Sequence, residues 1–363
     1  MHRLPLHAAF LFLTASAALA AQQPAPPPVP QPTTAAEAPN RDTSFIDAQG
    51  AAHVTRVVPL PATISPQAQL VLGHPVPDQA PPQSLEERRS STDRYTALAG
   101  AAWSRLCPNE MVEDKISGVP VRIFTPVGLP ETNQDKILIN LHGGGFNSDS
   151  GSLSESIPIA SFTRMKVVAV LYRLAPEHPF PAGVDDAIAV YKELLRTHKP
   201  EHIVIYGTSA GAIITGEVAA KLKQLGLPMP AALGIFSALG DFARAGDSAS
   251  LFSLRGLSGH LDPAGPEPHD PYYIGGFDPK DPVLSPIYGD LHGLPPTLFV
   301  TSTRDMLLSG TVNLHRAYVN AGVDARLVIF DALPHAFWYD PMLPESQEAN
   351  HIMADFFVKQ LGK

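Results

Sequence analysis

Short apolar runs and amphipathic segments alternate along most of this chain. The apolar runs have strand length and cover residues 119–124, 136–141, 166–171, 202–206, 231–236, 297–301 and 326–330. Between them, apolar side chains recur at helical spacing in residues 184–195, 210–225, 311–321 and 345–361. Strands that alternate with helices predict an α/β fold with a largely parallel sheet covered on both faces.

The first forty residues differ in composition from the rest of the chain. Residues 1–3 form a short polar n-region with one positive charge, residues 4–19 are mostly apolar and uncharged, and Ala18-Leu19-Ala20 matches an A-x-A cleavage pattern. This pattern predicts a secretory signal peptide over residues 1–20. An uncleaved membrane anchor is the alternative, although the apolar stretch is short for a membrane span. Residues 21–40 are rich in Pro, Ala and Gln, which predicts a linker.

Two further segments stand outside the alternation of strands and helices. Residues 41–110 precede it and contain a predicted helix at 85–106, so we interpret them as an N-terminal cap region, with an irregular surface wrap as the alternative. Residues 241–282 interrupt it with Gly, Pro, His and Asp, and a segment of that length is usually a functional loop. We interpret it as a cap insertion within the main domain, residues 111–363.

Three consecutive glycines follow the strand predicted at 136–141. Glycine weakens both helix and strand, so a run of it at a strand end favours close approach of the backbone to a ligand. Further along, residues 207–211 form a G-x-S-x-G sequence between a predicted strand and a predicted helix. This is the nucleophile elbow of serine hydrolases, with Ser209 as the nucleophile. The two motifs in this order indicate acyl-transfer chemistry.

The base should be a histidine downstream of Ser209, in the order Ser, acid, His. His335 lies in the loop after the last predicted strand, where such a histidine belongs. His315 and His351 lie within predicted helices and are weaker candidates. His142, before the glycines, is interpreted as a structural support for the glycine loop.

The acid should lie in the loop after the preceding strand. Asp305 follows the strand at 297–301 and would hold the tautomer of the histidine. Asp331 is the alternative, but it is too near His335 in sequence for the usual geometry.

Main-chain N–H groups should bind the oxyanion that forms when Ser209 attacks. The predicted donors are Gly143, Gly144 and Ala210, with Gly145 as a spacer that lets the loop turn. No metal site or organic cofactor is expected for this chemistry.

The balance of charged residues limits the kinds of partner that the protein is expected to bind. The chain has 363 residues, 26 Lys and Arg against 35 Asp and Glu, and a formal net charge of −9. This balance argues against nucleic acid as a partner.

Cys107 is the only cysteine, so no intrachain disulfide is possible. An exported chain of this kind suits a bacterial periplasm or the extracellular space. We expect a monomer or homodimer without stable membrane association after cleavage of the signal peptide.

Together, these motifs resemble the hormone-sensitive lipase-like family of alpha/beta-hydrolases, in its bacterial esterase branch. The resemblance covers about residues 119–360 and includes 142–146, the run 172–182, the Ser209 elbow, Asp305 and His335. It implies an alpha/beta-hydrolase fold, whose mostly parallel sheet is flanked by helices and carries a cap from the N-terminal segment plus an insertion. It also implies that Asp186 is a structural acid.

Two departures from the family pattern are visible. Thr208 occupies the elbow position where the family usually has Asp, and Met306-Leu307 follows Asp305 where the family usually has Pro-Leu. Neither removes a member of the predicted triad.

The resemblance implies a serine carboxylesterase for short- to medium-chain esters, with a small-molecule ester as its substrate. The alternatives are a hydrolase of an acetylated sugar, a lactone or an amide, and a non-catalytic binding protein on the same scaffold.

Overall fold

The computed structural model describes residues 44–54, 58–73, 84–244, 246–251 and 271–362. The predicted signal peptide (1–20) and linker (21–40) lie outside the described residues, as does the middle of the predicted insertion. The chain divides into two units, Met1–Pro59 and Leu60–Lys363. In the first unit, strands β1 (Phe45–Ile46) and β2 (Ala52–His53) pair in antiparallel fashion.

The described part of the second unit contains an eight-stranded sheet. In chain order, its strands are β3 (Asn109–Ile116), β4 (Val119–Pro126), β5 (Ile137–Leu141), β6 (Lys166–Val170), β7 (Ile203–Thr208), β8 (Ala232–Phe236), β9 (Thr297–Ser302) and β10 (Ala325–Phe330). The spatial order is β10-β9-β8-β7-β5-β6-β4-β3. Strands β5 to β10 are parallel, while β4 pairs antiparallel with β3 and β6. The prediction of a mostly parallel sheet is confirmed.

Helices cover both faces of this sheet. They are α1 (Pro66–Gly73), α2 (Leu85–Leu106), α3 (Ser156–Thr163), α4 (Ala182–Leu194), α5 (Ala210–Gln224), α6 (Asp247–Leu251), α7 (Pro271–Ile274), α8 (Leu308–Asn320) and α9 (Pro344–Leu361). One apolar core packs α4, α5 and α8 against the sheet, and a second core packs α3 and α9 against the opposite face. None of the helices in the described ranges is long and apolar enough to cross a membrane.

Helix α2 has the bounds that the sequence predicts. It begins with a capping box, in which the Ser84 hydroxyl accepts the Glu87 N–H and the Glu87 carboxylate accepts the Ser84 N–H. Its Trp103 is buried and donates its indole N–H to the Tyr339 carbonyl, 2.9 Å away. Arg89, near the other end, donates to the Ala175 carbonyl. These contacts tie both ends of α2 to loops of the sheet domain.

Strand β3 and helices α3 and α1 are among the elements that have no counterpart in the sequence prediction. Strand β3 is an exposed edge strand with four charged residues and no apolar alternation, so only its pairing with β4 reveals it. Helix α3 contains Pro158 and three β-branched residues, which give it a weak helical pattern even though it is almost wholly buried. Helix α1 lies in a proline-rich stretch.

Candidate active site

Ser209 lies in the sharp turn between β7 and α5. Its backbone has φ 57° and ψ −123°, a strained conformation for a residue with a side chain. The flanking glycines are required because a Cβ at Gly207 or Gly211 would lie 2.3 or 1.8 Å from the Leu141 carbonyl oxygen. The end of β5 therefore packs against the elbow too closely for a side chain at either position. This geometry is that of a nucleophile elbow, as the sequence predicts.

His335 and Asp305 lie together, each in the loop after its strand. The Nδ1 atom of His335 is 2.9 Å from Asp305 Oδ1, and both side chains are buried. Asp305 also accepts hydrogen bonds from the Thr301 hydroxyl and the Leu307 N–H. Burial opposes ionisation of Asp305, but the adjacent His335 and the hydrogen bonds from the Ser237 hydroxyl and the Leu307 N–H outweigh it and lower the pKa of the carboxyl.

An ionised Asp305 determines the tautomer of His335. A carboxylate can only accept hydrogen bonds, so the proton of the neutral imidazole lies on Nδ1 and faces Asp305. The Nε2 atom then carries the free lone pair and can act as a base.

Ser237 is a third member of this group, and it was not among the residues predicted from the sequence. Its hydroxyl donates to Asp305 Oδ2 at 2.5 Å and lies 2.7 Å from His335 Nδ1. It follows β8 directly, at φ 57°. Its position at the carboxyl end of a parallel strand is the signal that could have identified it, because such ends meet at one edge of the sheet.

Two sets of contacts bring the Ser209 elbow beside the His335 loop. Ser209 donates its N–H to the carbonyl of Phe236, the residue before Ser237. On the other side, the indole N–H of Trp338 donates to the Thr208 hydroxyl at 3.1 Å. Thr208, the departure from the family pattern, therefore links the elbow to the loop of the base.

The glycine loop differs from the prediction in one donor. The N–H of Gly143 donates to the buried carboxyl of Glu155, 2.9 Å away, so it is occupied. The prediction of Gly143 as an oxyanion donor is therefore wrong for this structure. The N–H groups of Gly144, Gly145 and Ala210 have no hydrogen-bond partner among the described residues. Gly145, expected to be a spacer, thus takes the place of Gly143 as a candidate donor.

Left-handed backbone gives the glycine loop its shape. Gly144 and Gly145 have φ values of +128° and +59°. A Cβ at Gly144 would also lie 2.0 Å from the Ser148 carbonyl oxygen. Both conformation and space therefore demand glycine at position 144.

His142 supports this loop, as predicted. Its ring stacks on Tyr172, with 4.2 Å between the ring centroids, and its Nδ1 lies 2.9 Å from the Gly143 carbonyl oxygen. Asp186 is also structural, since it accepts the Arg173 N–H and pairs with the Arg173 guanidinium.

Asp331, the alternative acid, has other hydrogen-bond partners. Asp331 accepts hydrogen bonds from the hydroxyls of Thr63 and Thr303 and is exposed. Of the two aspartates considered from the sequence, Asp305 is the one that contacts His335. Within the described ranges, no three His, Cys, Asp or Glu side chains are grouped so that they could hold a metal ion.

Comparison with known proteins places this site in a family. Residues 138–339 match a family profile described as alpha/beta hydrolase fold. The chain is 33% identical to an acetyl-hydrolase of Streptomyces hygroscopicus over 241 residues, which are 64% of this chain and 79% of that protein. It is 29% identical to an esterase of Acinetobacter venetianus over 237 residues, covering 62% and 76% of the two chains.

Solved structures show the same relationship over more of the chain. The crystal structure of esterase E25 superposes with a TM-score of 0.73 at 30% identity, covering 84% of this chain and 97% of that one. An esterase of the bacterial hormone-sensitive lipase family superposes with a TM-score of 0.69 at 28% identity, covering 82% and 99%. The chain therefore belongs to the hormone-sensitive lipase-like family of alpha/beta-hydrolases.

Proposed function

We propose that this protein is a serine carboxylesterase that uses Ser209, His335 and Asp305 as its catalytic triad. The observation that carries the proposal is the hydrogen-bonded pair of His335 and Asp305 beside the strained elbow of Ser209. Esterases and an acetyl-hydrolase among its relatives support the same reaction.

The first step is acylation of the enzyme. Nε2 of His335 removes the proton of the Ser209 hydroxyl as the oxygen attacks the ester carbonyl. The carbonyl oxygen becomes an oxyanion and accepts the N–H groups of Gly144, Gly145 and Ala210, while α5 directs its N-terminus toward the same charge. The protonated His335 is stabilised by Asp305 and gives its proton to the leaving alcohol.

The second step is hydrolysis of the acyl-enzyme. His335 removes a proton from a water molecule, which attacks the acyl carbonyl and forms a second oxyanion at the same donors. Collapse of this intermediate returns the proton to Ser209 Oγ and releases the carboxylic acid. We propose short- to medium-chain acyl groups as substrates, on the basis of the family and of relatives named as acetyl-hydrolases.

A nucleophile variant tests this proposal. We expect Ser209→Ala to lower kcat for p-nitrophenyl acetate or butyrate roughly 10⁴-fold or more, while the circular dichroism spectrum stays unchanged. Ser161→Ala, on α3, is the control and should keep wild-type activity. A fluorophosphonate probe should label the wild type and the control but not Ser209→Ala. Full activity of Ser209→Ala would refute the assignment. Activity of the wild type only toward amides or acetylated sugars would change the proposed substrate class.

We also propose that the protein is exported, on the basis of the N-terminal sequence pattern alone. Expression of the full chain in a bacterium, followed by N-terminal sequencing of the periplasmic fraction, should give a mature protein that begins at Ala21. An intact Met1 in the membrane fraction would instead favour a retained anchor.

A further inference from the structure

The glycine loop rests on a buried acid that the triad mechanism does not use. Glu155 lies just before α3, and its side chain is fully buried. Its Oε1 accepts the Gly143 N–H at 2.9 Å and the Tyr339 hydroxyl at 2.5 Å. Its Oε2 accepts the side-chain amide of Asn140 at 2.8 Å. One carboxyl group therefore joins the end of β5, the glycine loop and the segment after His335.

We propose that Glu155 is a positioning residue for ester hydrolysis, because its carboxyl group fixes the glycine loop at Gly143 and ties it through Tyr339 to the loop of His335. This inference rests on the proposed function. It extends that function by naming the group that holds the oxyanion donors at a set distance from the base.

The cost of burying Glu155 indicates that its contacts matter. Removing a carboxyl group from water is unfavourable unless hydrogen bonds replace its hydration. Here three donors converge on the two oxygens, and Gly151 leaves room for them, since a Cβ at that position would lie 1.8 Å from Oε1. An apolar residue would fill the same space at lower cost, so packing alone does not account for an acid at position 155.

The contact with Gly143 has a direct consequence for the next two residues. When the Gly143 N–H is held, the start of the loop is fixed, and the N–H groups of Gly144 and Gly145 stay without partners among the described residues. Oxyanion donors act best when they need no reorganisation during the reaction. A loop released from Glu155 could turn these donors away from the oxyanion or pair them with its own carbonyls.

The contact with Tyr339 connects the two halves of the site. Tyr339 lies four residues after His335, in the short 3₁₀ turn Phe337–Tyr339. A Cβ at Gly143 would lie 2.7 Å from the Tyr339 hydroxyl, so this hydroxyl is packed directly against the loop backbone. Movement of the glycine loop is thereby coupled to movement of the segment that carries the base.

Glutamine at this position provides a conservative rescue. In Glu155→Gln, the amide oxygen could still accept from Gly143 and Tyr339, while the amide nitrogen would meet the side chain of Asn140. The Asn140 Oδ1 atom is buried without a partner among the described residues. Rotation of the Asn140 amide by half a turn would therefore present an acceptor to the new donor.

The test compares Glu155→Leu, Glu155→Gln and Tyr339→Phe with the matched control Tyr191→Phe. Tyr191 is also buried and lies on α4, away from the glycine loop. Its hydroxyl donates to the Pro228 carbonyl. We expect kcat for p-nitrophenyl butyrate to fall at least tenfold in Glu155→Leu and about threefold to tenfold in Tyr339→Phe, with KM changed less than twofold. Glu155→Gln and Tyr191→Phe should stay within about threefold of the wild type.

Hydrogen–deuterium exchange provides a readout that does not depend on catalysis. Peptides from residues 142–150 should exchange faster in Glu155→Leu and Tyr339→Phe but not in Tyr191→Phe. Tyr339→Phe keeps the test decisive if Glu155→Leu does not fold. Unchanged exchange and unchanged kcat in the folded variants would overturn the proposal. If the wild type hydrolysed no ester, faster exchange in the two variants would still support Glu155 as the anchor of the loop and would refute the esterase assignment instead.

Discussion

Two buried carboxyl groups stand on opposite sides of the Ser209 elbow, and the fold moves their pKa values in opposite directions. Burial raises the pKa of Glu155 to about 7, against the opposing hydrogen bonds from Tyr339, Gly143 and Asn140. Asp305 is buried as deeply, yet the adjacent His335 and further hydrogen bonds hold its pKa below the usual value. The comparison shows that neutral donors can hold a buried carboxyl in place, whereas a partner that can become cationic also keeps it charged.

This difference matches the tasks that the two groups would have. Asp305 must be charged to stabilise the imidazolium that forms on His335 during each step. Glu155 has only to accept hydrogen bonds from the glycine loop and from Tyr339, which requires an oxygen acceptor and no permanent charge. Substitutions of Asp305 and of Glu155 can therefore distinguish a carboxyl group that must be charged from one that has only to accept hydrogen bonds.

The largest effect is expected for Asp305→Asn. An asparagine can turn its NH₂ toward Nδ1 and stabilise the tautomer whose proton lies on Nε2, which cannot act as the base. We expect kcat to fall by about 10³- to 10⁴-fold. Asp331→Asn, an exposed carboxyl in the loop of His335, is the control and should keep wild-type kcat. A loss of less than tenfold in Asp305→Asn would show that the charge of Asp305 is not required.

A smaller loss is expected when the glycine loop is displaced by Gly144→Ala. The new methyl group would collide with the Ser148 carbonyl, so the loop must move and its donors with it. We expect kcat to fall about 10²-fold, since one oxyanion donor contributes that much or more. Gly118→Ala is a matched control, because Gly118 has φ +84° and no atoms within 4 Å of its Cβ position. Both variants should lose stability, and an equal loss of kcat in both would contradict a role for the loop.

Ser237→Ala should have a moderate effect. The variant keeps Asp305 and His335 but removes the hydroxyl that contacts both, so the carboxylate loses one charge-assisted hydrogen bond. We expect kcat to fall roughly tenfold, a figure that corresponds to about 1.4 kcal/mol. Thr163→Val removes a buried hydroxyl from α3 and should leave kcat unchanged. Wild-type kcat in Ser237→Ala would make this hydroxyl a structural contact only.

The smallest effect concerns the pH dependence of stability. Glu155 has a raised pKa in the fold, so between pH 4.5 and about 7 the native state retains a proton that the unfolded chain releases. The stabilisation from that proton is complete below pH 4.5 and is lost as the pH rises through 7. Because glutamine does not ionise, the stability of Glu155→Gln relative to the wild type should increase between about pH 5 and pH 8.

Asp305 should show the opposite trend. Its lowered pKa adds stability that is present above pH 3.8, the ordinary value, and is lost as the pH falls further. The stability of Asp305→Asn relative to the wild type should therefore improve as the pH drops below about 4. Urea unfolding across roughly pH 3 to 8 measures both trends. If the stability of the two variants, relative to the wild type, changed with pH in the same direction, the contrast between the carboxyl groups would be contradicted.

Much of the fold could be predicted because local sequence and tertiary structure agree there. Strands such as β5 and β7 are buried on both faces, so they form continuous apolar runs in the sequence. The elbow is equally visible in the sequence, because a side chain at Gly207 or Gly211 would collide with the Leu141 carbonyl at the end of β5. Exposed β3 and proline-containing α3 lack such a pattern, and only contact with neighbouring elements determines their structure.

The candidate site divides in the same way. Ser209, His335 and Asp305 follow strands in an order that the chain itself displays, and the glycine run shows where an anion could meet the backbone. Local patterns in the chain are therefore enough to predict most strands of the sheet, the elbow and the residues of the proposed triad. Which glycine N–H groups are free, and that Glu155, Ser237 and Tyr339 contact the site, depends on contacts that form only in the folded chain. The physical reason is the separation of these residues along the chain. The Gly143 N–H is engaged in a hydrogen bond to Glu155, and Tyr339, which donates to the same carboxyl, lies 184 residues beyond Glu155, so the pairing exists only after the chain has folded.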